Sequence, residues 1–99
     1  MKVTHISLWP SNDSAPRIRL HKGILTDKGE YTRLAISDGL ARNRGLPADV
    51  TGWCVFVSRL DDGEIVHVYE GRVTRVEKVA GMVGKRRVFR CQPGGVVAD

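Results

Sequence analysis

No apolar run in this sequence exceeds five residues. The longest, Trp-Cys-Val-Phe-Val at residues 53–57, is far short of the roughly 18 to 20 needed to cross a bilayer. The first residues do not read as an export signal either, because Thr4, His5 and Ser7 interrupt the apolar positions that follow Lys2. The expectation is a cytoplasmic protein with no membrane segment. Cysteine is scarce: Cys54 and Cys91 are the only two, both in strand-like apolar stretches. Without an export signal they are expected as reduced, buried thiols rather than as a disulfide. Neither Cys-x-x-Cys nor His-x-x-x-His spacing occurs among Cys54, Cys91, His5, His21 and His67, so no metal site is expected. No Gly-x-Ser-x-Gly elbow is present, and Gly84-Lys85 is followed by Arg86 instead of Ser or Thr, so it is no phosphate loop. Nothing in the sequence calls for a cofactor.

What remains is a chain of 99 residues, 41% apolar and 27% charged, close to the average of folded globular domains. That length fits one domain, and it buries about 60 to 70% of the surface of its unfolded chain without staples. The expected division is a single β-rich domain over residues 1–92 and a flexible tail over 93–99, where Pro93-Gly94-Gly95 ends the last strand.

Strand signals dominate. Residues 2–9 alternate and stop at Pro10; residues 10–16 are turn formers; residues 17–26 alternate again, with a bend or bulge expected at Gly23. Asp27-Lys28-Gly29-Glu30 reads as a hairpin turn. Residues 31–37 fit both strand and helix periods and are assigned to strand. Ser37 and Asp38 then offer N-caps for a short helix over 38–44, ended by Gly45 and Pro47, and residues 46–52 form a loop.

The second half holds the clearest local signal, Asp62-Gly63 between two β-branched and aromatic runs. A two-residue turn there pairs Leu60 with Ile65, Arg59 with Val66, Ser58 with His67, Val57 with Val68, Phe56 with Tyr69, Val55 with Glu70, Cys54 with Gly71 and Trp53 with Arg72. Apolar residues fall on both faces, as in the central hairpin of a barrel. The strand runs on towards Val79, with a bulge expected at Gly71; residues 80–84 turn; residues 85–92 make the last strand, with Val88, Phe89 and Cys91 as core candidates. The fold class expected is mainly β. It is a small five- to six-stranded barrel or strongly curved antiparallel sheet, OB-like or SH3-like in element order, with one short helix.

Charge is unevenly placed. Residues 72–92 hold seven basic side chains against the single acid Glu77, a net +6, whereas the whole chain carries +5. The basic residues Arg72, Arg75, Lys85, Arg86, Arg87 and Arg90 are the candidate contacts to nucleic acid. Arg predominates there, and its planar fork suits phosphate. Trp53, Tyr69 and Phe89 are the candidate stacking rings, and Trp53 opposite Arg72 suits a cation–π contact. The competing reading is a small protein-interaction or inhibitor module that occludes a larger complex through an acidic partner surface. The sequence allows a monomer or a homodimer. Ser58 opposite His67, with Asp61 and Asp62 nearby, is the better-placed nucleophile–base pair, ahead of Cys54 four residues along the strand, and it lacks the rest of a hydrolase site. A non-enzymatic protein without catalytic residues is expected.

Overall fold

The computed structural model describes residues 1–11, 16–81 and 84–94. Three expectations therefore fall partly outside it: the loop at 12–15, the turn at 82–83 and the tail at 95–99. The elements are β1 (Lys2–Val3), β2 (His5–Trp9), β3 (Ile18–Leu20), β4 (Gly23–Asp27), β5 (Thr32–Ser37), α1 (Asp38–Asn43), β6 (Cys54–Asp61), β7 (Glu64–Gly81) and β8 (Gly84–Pro93). The protein is mainly β with one short helix, as its composition of alternating segments dictates.

All strands belong to one antiparallel sheet in the order β1-β4-β5-β8-β7-β6-β2-β3. Its two ends are not independent edges. Thr4 alone separates β1 from β2, and His21 and Lys22 alone separate β3 from β4. The same register runs through both pairs, Lys2 opposite Ile24 and Ile6 opposite Leu20. The sheet thus curls into a barrel-like form in which its first and last strands continue strands of its interior. Merging the two interrupted strands leaves six of the eight, and α1 then lies between the third and fourth, where the sequence places it.

The concave side is filled by the inward residue of each alternating pair. Leu8 faces Val55, Ile6 faces Val57 and Leu34 faces Phe89, all nearly or fully buried. Side chains of this size contribute about 1.5–3 kcal/mol each on burial. Ala41, Leu46 and Val50, from α1 and the loop after it, join the same cluster and fill one end. A six-residue helix is too short to persist alone, so this packing holds it, together with the Ser37 Oγ that accepts the Leu40 N–H at 3.3 Å.

The β6–β7 hairpin turns at Asp62 (φ 51°) and Gly63 (φ 83°), the left-handed pair of a tight two-residue turn. Pairing follows the expected register from Leu60–Ile65 to Ser58–His67 and then departs from it. A bulge at Val68 places Tyr69 opposite Val57, Glu70 opposite Phe56, Gly71 opposite Val55 and Arg72 opposite Cys54. Gly71 is therefore not the bulge. It is instead a point of close approach, where a Cβ would collide with the Gln92 carbonyl oxygen and lie 2.7 Å from the Tyr69 hydroxyl. A second irregularity between Val73 and Arg75 lets the 18-residue β7 bend.

Candidate nucleic-acid interface

The seven basic residues of segment 72–92 do not form one surface. Arg87 shares its register row with Ile36 and Lys78 and points inward at the end closed by α1. It is 2% exposed. Its Nε and Nη2 donate to Asp38 Oδ1 at 3.1 and 2.9 Å, and its Nη1 donates to the carbonyls of Leu46 and Pro47 at 3.3 and 3.2 Å. The guanidinium thereby fastens the start of α1 and the following loop to β8. The hydrogen bond from Arg87 holds the Asp38 carboxyl below its ordinary 3.8, against the opposing effect of burial. Lys78 Nζ stands 3.8 Å from Asp38 Oδ1, and Arg42 Nε 3.3 Å from Oδ2.

Glu77 collects a second pair of cations on the outer face, with Arg75 Nε at 3.1 Å and Arg90 Nε at 3.2 Å. The Arg90 guanidinium also lies 4.7 Å from the centre of the Tyr31 ring. Four of the seven basic side chains are thus directed at Asp38 or Glu77. Arg72, Lys85 and Arg86 are exposed and form no ion pair among the described residues.

The expected stacking rings are also placed otherwise. Phe89 is fully buried in the core, so it and Arg87 are corrections to the sequence-derived site. Trp53 and Tyr69 are half-buried and pack against the core; burial raises the Tyr69 phenol above its ordinary 10.0. Arg72 lies opposite Cys54, not Trp53. The cation–π contact with tryptophan is made elsewhere, by Arg17 over Trp9 at 4.0 Å.

Lys85 and Arg86 are brought together with a residue the charge count overlooked. A groove of about 260 Å³ is lined by Lys22, Ala35, Ile36, Ser37, Leu40, Gly84, Lys85 and Arg86. Lys22 comes from the break between β3 and β4, and Arg86 lies directly opposite Ser37 in the β5–β8 register. Among the described residues, three cations line this groove and no carboxylate does. Its volume is below the roughly 300–1,000 Å³ of small-molecule pockets, yet it admits a phosphate. A different groove, between residues 48–51 and 74–78, mixes Asp49 and Glu77 with Arg75 and Lys78, so its charges offset one another.

The other chemistry weighed from the sequence gains nothing from this geometry. Ser58 and His67 are register partners as expected, but the His67 ring stacks on Phe56 at 4.2 Å and makes no hydrogen bond to Ser58 among the described residues. Asp61 is engaged by Arg59 at 3.3 Å. No group of three or more metal-ligating side chains occurs among the described residues. Cys54 and Cys91 are free and buried, and burial pushes the Cys91 thiol up to about 12, far from a reactive thiolate. No helix among the described residues is long and apolar enough to cross a membrane. Compared with protein-family models, with curated proteins and with solved structures, the chain gives no match, and the chemistry of the site rests on its own geometry.

Proposed function

We propose that this protein is a small non-enzymatic binding module that contacts nucleic acid through the groove formed by Lys22, Lys85 and Arg86. The observation that carries the reading is the absence, among the described residues, of any carboxylate from that groove, in a chain of net charge +5. A phosphate entering it meets three cations whose charge no neighbour has cancelled, and charge-assisted hydrogen bonds to phosphate are the strong class. Of the sequence-derived set, Lys85 and Arg86 carry the contact, Arg72 adds charge on the outer face, and Arg75 and Arg90 contribute less because Glu77 holds them. The test is fluorescence anisotropy with labelled duplex and single-stranded DNA and RNA over about 50 to 200 mM salt. Binding that weakens with salt and is lost in Lys85→Glu/Arg86→Glu supports the reading. Absence of binding at the lowest salt refutes it.

A second reading, a protein-interaction or inhibitor module, is favoured by the tip of the β6–β7 hairpin. Leu60 and Ile65 face one another there, 56% and 63% exposed, beside Asp61, Asp62 and Glu64. A stoichiometric protein captured from nuclease-treated lysate and lost in Leu60→Ser/Ile65→Ser supports this alternative; capture indifferent to both substitutions removes it.

A further inference from the structure

Next to the first groove lies a second, of about 320 Å³, lined by Thr4, His5, Ile6, Ser7, Arg19, Leu20, His21 and Arg44. It too is lined by no carboxylate among the described residues. Arg19 and Arg44 are exposed and form no ion pair among the described residues. Three features place the linings of the two grooves next to one another. His21 in one and Lys22 in the other are consecutive. Leu40 in one and Arg44 in the other are a helical turn apart, joined by the Arg44 N–H to Leu40 carbonyl bond of 3.1 Å. Gly23 lies between them, so tightly that a Cβ would sit 2.7 Å from Ile6 Cδ1 on one side and 3.2 Å from Ile36 Cγ2 on the other.

Together the grooves present Lys22, Lys85, Arg86, Arg19 and Arg44, drawn from three separate stretches of chain, with His5 and His21 beside them. No Phe, Tyr or Trp lines either groove, and the rings present are the small imidazoles of His5 and His21. The larger rings are engaged elsewhere: Trp9 under Arg17, Tyr31 under Arg90, Phe56 against His67, Phe89 in the core, and Trp53 and Tyr69 against it. Proteins that hold single strands without sequence preference combine a basic channel with rings on which bases stack. A basic track without Phe, Tyr or Trp platforms is built chiefly for phosphates, and a duplex presents them most densely, at about one charge per 1.7 Å of axis.

We infer that the two adjoining grooves form one track for the phosphate backbone of a nucleic-acid duplex, bound without regard to base sequence. The inference rests on the nucleic-acid reading above and adds to it the second groove and the form of the ligand.

The experiment is a salt titration of the full chain against short labelled duplexes of DNA and of RNA, each in two unrelated sequences, and against the corresponding single strands. Five phosphate contacts give a slope of log K against log salt of about −4.5 on B-form DNA, and Arg19→Glu/Arg44→Glu reduces its magnitude by about 2 while weakening binding at least about tenfold. The two duplex sequences bind alike, and the duplex binds more tightly than its strands; the DNA and RNA arms identify which backbone geometry fits. If the wild type binds but the Arg19/Arg44 variant matches it, or if single strands bind more tightly, this inference is overturned while the nucleic-acid reading stands. The wild-type slope is a check independent of any variant's folding, and a magnitude of about 2.7 or less, which the three cations of the first groove give alone, also overturns the track. No binding of any nucleic acid overturns both.

Discussion

Replacing Arg87 by alanine removes four hydrogen bonds at once and leaves Asp38, 6% exposed, without its closest partner. Removing one partner of a buried pair is far more damaging than losing an exposed ion pair, and the partners Asp38 keeps, Arg42 and Lys78, are themselves exposed. Arg87→Ala is therefore expected to melt well below the wild type, and Lys78→Ala, whose side chain is 55% exposed, close to it; thermal unfolding followed by circular dichroism compares them. The same pair sets an acid limit. The Asp38 carboxyl is depressed in the folded state, so its contribution is complete above its ordinary 3.8 and is lost as the pH falls through the lower folded value. Asp38→Asn should be less stable at neutral pH and should lose that part of the acid dependence, whereas an unchanged acid profile would detach Asp38 from it. The inward placement of Arg87 was open to sequence reading: Cys91 and Phe89 are core residues, and the two-residue period of a strand continues to Arg87. Its position in a Lys-Arg-Arg run disguised this.

At the scale of elements, local chemistry was largely legible. The Asp62-Gly63 turn, the Ser37 cap, the strand at 32–37 and the helix after it follow from residues that act on their immediate neighbours. The register of the long hairpin was legible only as far as His67, because the extra residue at Val68 is a β-branched valine like its surroundings. Gly71 drew attention as a bulge signal, but its need for glycine comes from Gln92, 21 positions away and on another strand. Gly71→Ala is expected to destabilise by about 1–3 kcal/mol, the range for forcing extra atoms into a packed site. Urea denaturation measures it, and a shift of the midpoint by less than the error would mean that β7 and β8 separate there without strain.

For the whole molecule, the sequence holds the number of cations but not their compensation. Asp38 and Glu77 engage four of the seven basic side chains of residues 72–92, and both choices depend on which strand faces which. Lys22, Arg19 and Arg44 join Lys85 and Arg86 only because the sheet curls until residues 19–22 share grooves with α1 and the start of β8. No contiguous stretch of sequence contains that surface, so charge counting along the chain located Lys85 and Arg86 and passed over the residues that complete it. The comparison that tests the account most directly sets two double substitutions side by side in one duplex-binding titration: Lys85→Glu/Arg86→Glu in the uncompensated groove, and Arg75→Ala/Arg90→Ala around Glu77. The account predicts loss of binding in the first and at most a few-fold weakening in the second. Equal losses, or a greater loss in the second, would contradict it, since binding would then follow the number of basic residues and not the groove that the fold assembles.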